Sequence, residues 1–589
     1  MMEEKPYTSY EFGPFRLLPF ERLLLRDDRP VALAPRVFDT LLVFVQNSGR
    51  LLSKDELMQL VWGERIVEES NLTQNIFILR KLLGETPHDH HYLVTIPLHG
   101  YRFVAQVRKS HEGHGSAGAE NYVAQADPAR RGATAIAVLP FTVLGSPSSE
   151  PFEGIGIADT LITKLSKLKQ LIVRPVTAVL KYAEMGQDLL AIGAELQVAA
   201  VLEGSLQRAG DRLRVNARLV QLNSGATLWA DKFDDKFTDI FAVQDLIAVH
   251  IAQALELELS VEERRHLAQS HTTNLEAYQL YIKGRYFWDS RTEQGLFKGI
   301  EYAERVTELD ADDALAYVGL ADSYALLGEY LYLSPQAAFP KAKAAAERAL
   351  KLDPSNAQAH ASLGEVAFFY EWDWRAAERH YLKSIAIDPH YASAHHWYAW
   401  FLMAMGRLDE AGASITQAQR LDPGSLTLNT VLGLPFYYGR RYEMAVEQYR
   451  ETLEMNPDFA QARYCLASAL THLGQYDEAI AEYQQVRPLY EQQAASLQAF
   501  TYAVAGQPEK ARGVLEELRR LSEQRYVSPY LEAIIHTGLG DAESALLKLE
   551  EAFQERAAWM VFLNVDPFLE RLRPEPSFAG LLQRVGFSA

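Results

Sequence analysis

The chain has 589 residues and a formal net charge of −19. At about 100–200 residues per domain, that length excludes a single core and calls for several domains or a repeat array. Hydrophobic residues at 48% and charged residues at 23% exclude a mostly disordered chain. The lone cysteine, Cys465, cannot form an internal disulfide, and Met1-Met2-Glu3-Glu4-Lys5-Pro6 has neither the basic start nor the apolar run of a secretion signal, so a cytoplasmic protein is expected. The most apolar run, Ala133 to Ser149, is broken by Pro140 and Pro147 and falls short of the ~18 residues a membrane span needs. Charge is uneven: residues 1–109 carry 14 Lys+Arg and 14 Asp+Glu, whereas residues 271–589 carry 29 and 43. The acidic far half repels nucleic acid, so any such contact belongs to the neutral first hundred residues.

Those residues begin with a short strand-rich segment, Glu11 to Leu17, followed by three helical patterns. The first runs from about Arg36 and sets Val37, Phe38, Leu41, Leu42 and Val45 on one face. The second opens at Ser53-Lys54-Asp55-Glu56, a capping box in which serine and glutamate each satisfy an amide of the helix start, and ends at Gly63. The third begins near Ser70 or Asn71. Steps of three and four residues bury Leu72, Ile76, Leu79 and Leu82 or Leu83 and leave Thr73, Gln74, Phe77, Arg80 and Lys81 outward. Tyr92 to Ile96 and Tyr101 to Val107, joined through Pro97-Leu98-His99-Gly100, then read as a hairpin. This order is that of a winged helix-turn-helix, whose third helix fits the major groove of B-DNA while the hairpin tip reaches the adjoining groove.

Leu57, Val61-Trp62-Gly63, Leu79-Arg80-Lys81-Leu82 and Gly100-Tyr101-Arg102-Phe103 resemble the OmpR/PhoB-type effector domain, in the CadC/ToxR-like arrangement of one-piece regulators. The resemblance implies a sequence-specific DNA-binding transcriptional regulator. It implies that Ser70, Asn71, Thr73, Gln74, Asn75 and Arg80 lie near DNA in the recognition helix, Lys81 near phosphate, and His99 and Arg102 on the wing. It also implies that the loop Gly63 to Glu69 touches RNA polymerase. Asn75 has an equal reading as a capping or packing residue, and Arg80 and Lys81 have a lesser one as solvated helix charges. Because the domain is neutral, nonspecific attraction to phosphate is weak and a homodimer on DNA or tandem binding is expected.

Residues 110–132, with His111, Gly113, His114, Gly115, Gly118 and Pro128 and few large apolar side chains, read as a flexible linker. Beyond it come a buried-strand run, Ala135 to Phe141, a helical segment, Ile155 to Leu168, and a hairpin of Val201 to Gln207 with Leu213 to Leu222 that turns at Asn223-Ser224-Gly225 into Ala226 to Phe233. This is a mixed α/β domain over 133–258. Ile136 to Phe141, Val201-Leu202-Glu203-Gly204-Ser205 and Leu228-Trp229-Ala230 resemble the amino-terminal domain of TolB, which implies the fold alone.

From about residue 275 the chain repeats. Prolines at 354, 389, 423 and 457 close successive units, and Gly406, Gly439, Gly474, Gly506 and Gly540 mark the turns within them. Leu466, Ala467, Leu470, Gly474, Ala479 and Tyr483 resemble the tetratricopeptide repeat pattern, and about eight helix pairs fit residues 259–589 as an all-α solenoid with a concave side. An insertion interrupts the pattern near Tyr330 to Pro340. First-helix positions expected to face the concave groove are Gln358, Glu365, His396, Trp400 and Thr430, then Tyr437, Gln461, Tyr464 and Thr471. This aromatic and amidic set suits an extended peptide or a partner helix, although any one aromatic has an equal reading as inter-repeat core.

No constellation of catalytic residues stands out. Gly154-Ile155-Gly156-Ile157-Ala158-Asp159 begins like a dinucleotide loop but lacks the third glycine, and no phosphate-cradling Gly-Lys-Ser/Thr loop occurs. His88-Asp89-His90-His91 lacks ligand-pair spacing and reads as a loop, and Cys465 reads as packing. Neither an enzyme nor a cofactor or metal protein is expected. The leading expectation is a regulator whose α/β and repeat domains bind a protein or ligand. The alternative is an interaction scaffold whose winged domain mediates protein contact.

Overall fold

The computed structural model describes residues 9–18, 23–26, 29–31, 35–62, 72, 75, 76, 79, 80, 83, 91–96, 100–105, 107–110, 134–144, 152–168, 170–183, 188–209, 212–236, 240–257, 259, 260, 263 and 274–587. The chain divides into two compact units, Met1–Asp127 and Pro128–Ala589, which are taken separately below.

In the first unit, strands β1 (Ser9–Phe12), β2 (Phe15–Leu18), β3 (Leu23–Arg26) and β4 (Arg29–Val31) form an antiparallel meander, and β8 (Arg108–Ser110) pairs with the other edge of β1. Helix α1 (Pro35–Gln46), strand β5 (Leu51–Leu52) and helix α2 (Lys54–Trp62) follow, and β6 (Leu93–Ile96) and β7 (Gly100–Phe103) make a hairpin that adds β5 to form a second sheet, β5-β7-β6. The strand-rich start is thus four strands. Leu24 and Leu25 are both buried, so β3 shows no alternation, and Pro30 in β4 is tolerated because β4 is the sheet edge and needs no ladder donor there.

In the second unit, β9 (Thr134–Val138) lies between β11 (Leu171–Val173) and β12 (Ala200–Ala209), both parallel to it. Strands β13 (Arg212–Gln221) and β14 (Thr227–Lys236) extend the sheet antiparallel, and β10 (Thr142–Leu144) pairs with the far part of β12. The helix Phe152–Leu165 starts so close to the chain leaving β9 that a Cβ on Gly154 would sit 1.8 Å from the carbonyl oxygen of Phe141. Further along, a Cβ on Gly156 would meet Ile282 Cγ1 at 2.9 Å, where the first repeat helix packs. Both glycines of the apparent dinucleotide loop therefore serve close packing.

Eight helix pairs run from Leu275–Asp289 with Glu293–Leu309 to Pro529–Leu539 with Ala542–Gln554. Their small positions have a direct cause: a Cβ on Gly364 would lie 2.6 Å from the Tyr381 ring, and one on Gly433 would lie 2.3 Å from the Tyr449 ring. Those tyrosines and Tyr483 are fully buried. The array curves until its late repeats meet its early ones. Gln492 and Gln493 donate to the carbonyls of Leu331 and Tyr330 at 3.0 and 2.9 Å, and Arg525 pairs with Glu293 at 3.0 Å. The insertion that interrupts the repeat pattern thus supplies the carbonyls that close the ring.

Among the described residues, hydrogen bonds fasten the α/β domain to this ring at two places. Tyr278 in the first repeat helix receives hydrogen bonds at its hydroxyl from Thr160 (3.1 Å) and Gln244 (2.8 Å). Arg174, just after β11 and 3% exposed, donates to the carbonyls of Leu196 and Gln197 in its own domain and to those of Arg420 and Leu421 at the end of a repeat helix.

Burial raises several carboxyls of the array. Asp322, 1% exposed, accepts a hydrogen bond from Ser362 at one oxygen while the other has no partner, and burial pushes its pKa up to about 6. An acid with a raised folded-state pKa contributes stability below its unfolded pKa and loses it as pH rises through the folded value. We expect Asp322→Asn to match wild type near pH 4 and to exceed it at pH 8, by on the order of 3 kcal/mol. Urea unfolding of both proteins at the two pH values measures the difference, and a constant gap would refute it.

Candidate nucleic-acid interface

The reading head of the first unit is built from its helices and hairpin. α1 buries Val37, Phe38, Leu41, Phe44 and Val45. α2 starts in a formed capping box, with the Glu56 amide donating to Ser53 Oγ at 3.1 Å and the Ser53 amide donating to Glu56 Oε2 at 2.9 Å. That amide, aided by Arg50, holds the Glu56 carboxyl below the usual range. Phe12, Phe15, Tyr92 and Phe103 form an aromatic cluster with centroid spacings of 5.3–6.3 Å, which joins the first sheet to the hairpin.

In the third helical pattern, residues 72, 75, 76, 79 and 80 are helical, and Leu72, Ile76, Leu79 and Leu83 are buried. Asn75 is not a surface residue: it is 3% exposed, and its Nδ2 donates to Thr40 Oγ1 in α1 at 3.1 Å. Its packing reading stands, and its placement among the DNA-facing residues is corrected. Arg80 spans from helix to hairpin, donating from Nη2 to the Leu93 carbonyl at 3.1 Å and to Thr95 Oγ1 at 2.7 Å. Its guanidinium locks the wing onto the helix. Arg102 lies in β7 opposite Leu51 and Val94, with its Nε buried and without a hydrogen-bond partner among the described residues. Ser70, Asn71, Thr73, Gln74, Lys81 and His99, and the loop Gly63 to Glu69, lie outside the described residues.

The repeat groove differs from expectation more sharply. Two turns after the last pair, Ala558–Phe562 and Pro567–Leu572, lie inside the ring. Phe562 contacts Phe368, Trp400 and Tyr438 from three successive repeats, and Trp559 Nε1 donates to the Glu329 carbonyl at 3.3 Å. Trp400 therefore packs on the chain's own segment. Tyr437 and Thr471 are buried, the former against His472 and the latter bonded to Thr501, and Tyr464 stacks on Tyr490. Thr430 bonds back to the Leu426 carbonyl. Glu365 accepts from the Tyr381 hydroxyl at 2.7 Å, and burial holds its carboxyl well above its ordinary range. Glu365, Thr430, Tyr437 and Thr471 are interior residues and Trp400 and Tyr464 are half-buried against the core, a correction that helical spacing could not provide because it cannot tell an open concave face from one filled by a distant segment. Gln461 is half-buried. Gln358 and His396 line a chamber of about 1360 Å³ between the ring and the α/β domain. Cys465 is buried, with its thiol pushed up to about 12. Among the described residues, no helix is long and apolar enough to cross a membrane.

Parts of the chain are similar to known proteins. Residues 28–103 match the family described as transcriptional regulatory protein, C terminal. Residues 132–249 match the second domain of HilA/YgeH-like transcriptional regulators, and 380–413 and 430–494 match tetratricopeptide repeats. The chain is 23% identical over 436 residues to transcriptional regulator HilA of Salmonella typhi, covering 73% of this chain and 74% of that protein. It is also 28% identical over 300 residues to putative adenylate cyclase 3 of Rhizobium meliloti, covering 49% and 44%. The solved DNA-binding domain of E. coli CadC is 34% identical, covering 18% of this chain and 99% of that domain, with a TM-score of 0.16.

Proposed function

We propose that this chain, a DNA-binding transcriptional regulator with an OmpR/PhoB-type winged domain, reads duplex DNA with the helix around residues 72–83 and steadies itself with the β6–β7 wing, while the second unit receives the signal. The observation that supports this most is the Arg80 strut. By joining the helix to both backbone and side chain of β6 it makes helix and wing one rigid head, as simultaneous engagement of two adjacent grooves requires. In this reading Thr73, Gln74 and Lys81, with Ser70 and Asn71 before them, meet the duplex, and His99 and Arg102 serve on the wing. The loop Gly63 to Glu69 meets RNA polymerase, and two copies bind together because a neutral domain gains little from phosphate alone. The protein acts in the cytosol and carries out no catalysis of its own.

Selection of random-sequence duplexes on the full chain tests this. A motif is expected to enrich, and Lys81→Ala with Arg102→Ala is expected to weaken retention by about tenfold or more. No enriched motif, together with intact capture of protein partners, would favour the scaffold reading in which the winged domain contacts protein.

A further inference from the structure

The chamber of about 1360 Å³ is closed on one side by the α/β helix Phe152–Leu165 and the segment after β11, and on the other by the early repeats. Its wall includes Arg285 and Arg291, whose guanidinium carbons lie 4.6 and 3.8 Å from the ring centre of one indole, that of Trp288. Trp288 is 5% exposed, so stacking holds both cations in place against a buried surface. Neither arginine makes a salt bridge within 4.0 Å among the described residues, and Arg285 Nε is buried without a hydrogen-bond partner. Several other arginines of the array are matched: Arg407 with Glu378 and Glu410, Arg440 with Glu570, Arg463 with Glu482 and Arg487 with Glu517. The two like charges on one ring repel each other, and the nearest acids, Asp159, Asp289, Asp322 and Glu329, offset this through space without an ion pair to either arginine within 4.0 Å.

We propose that this chamber is an effector site for a small molecule bearing a carboxylate or phosphate group, which binds to Arg285 and Arg291 where they stack on Trp288. The planar guanidinium fork suits either group, since it offers paired N–H donors to paired oxygens. Eight carboxyls on the wall, Asp289 and Glu329 among them, outnumber its five lysines and arginines, so the ligand's anionic group belongs at the arginines and its remainder is cationic or polar. A small molecule fits better than a peptide because the ring interior is already filled by Phe562 and its segment and the α/β domain forms one wall of the chamber. Because the site's walls come from both domains, its occupation bears directly on how the α/β domain sits on the ring. The proposal rests on the reading of the second unit as the input module, but its test contains no DNA, so it fails or succeeds separately from promoter recognition.

The full-length protein is melted in pyrophosphate, in citrate and in chloride at equal ionic strength. Pyrophosphate or citrate is expected to raise the unfolding midpoint of the second unit by about 2 °C or more over chloride. Arg285→Met with Arg291→Met is expected to abolish the rise while keeping the helical circular dichroism, and Arg512→Met, on an exposed pair with Glu509, is expected to keep it. If the double variant does not fold, Arg291→Met alone must reduce the response at least threefold. A rise with pyrophosphate alone assigns a phosphate ligand, and a rise with citrate alone assigns a carboxylate. No rise with either anion, or a rise that survives the arginine substitutions, overturns the proposal.

Discussion

Gly100→Ala is expected to abolish retention of duplex DNA, because it removes the wing. Gly100 sits at φ +129°, a backbone region that is essentially reserved for glycine, and a Cβ there would lie 2.1 Å from the Leu52 carbonyl oxygen and 2.9 Å from Ser53 Cα. Both neighbours are backbone and cannot rotate away. Relief requires β7 to separate from β5, which breaks the pairing of Leu52 with Tyr101 and uncovers Phe103 and the aromatic cluster behind it. The loss should exceed about 3 kcal/mol in the first unit. Gly49→Ala is the matched control. Its φ of +82° also strains an alanine, but nothing lies within 4 Å of the added Cβ, so only about 1–2 kcal/mol is expected. Hydrogen exchange across residues 93–103 and a mobility shift on the selected duplex read both variants, and equal behaviour of the two would refute the steric argument.

Arg174→Met is expected to loosen the α/β domain from the repeat ring. The methionine fills much of the space but leaves four carbonyls, two on each side of the junction, without their donor. Asp422, buried beside Arg174 and pushed up to about 6 by burial even with that cation present, also loses the charge that holds its pKa down. Breaking such a buried charge network costs about 3–5 kcal/mol. Arg174→Lys should recover only part of this, since an ammonium has three donors and cannot span two pairs of carbonyls as the guanidinium does. The expected result is faster amide exchange confined to Leu196–Val198 and to the end of the repeat helix at Arg420–Asp422. Unchanged exchange at both would show that Tyr278 and its partners carry the junction alone.

Both variants act at residues whose neighbours lie far along the chain, and this divides what was legible in the sequence from what was not. The winged order was legible because it rests on local physics: a capping box at Ser53 and Glu56 that forms as its residue types require, and a helical period that buries Leu72, Ile76, Leu79 and Leu83. The repeat pattern was legible for the same reason, since each Gly–Tyr packing such as Gly364 on Tyr381 recurs within one unit. Asn75 and Arg80 were not legible as structural residues. Polar side chains on a helix look alike in sequence whether they meet water, DNA or a strand, and only the position of Thr40 and of β6 decides.

The sequence by itself determined the kinds of module, their order and the buried faces of their helices, because those follow from periodicity, caps and turn residues that act over a few positions. The tertiary structure alone decided that the groove is filled by Phe562 and its segment, that Arg174 fastens two domains, and that Arg285 and Arg291, both stacked on Trp288, line a chamber. Each of those depends on the curvature of the whole array. Small rotations per repeat add up until residues such as Gln492 and Leu331 touch, and no local pattern encodes that sum.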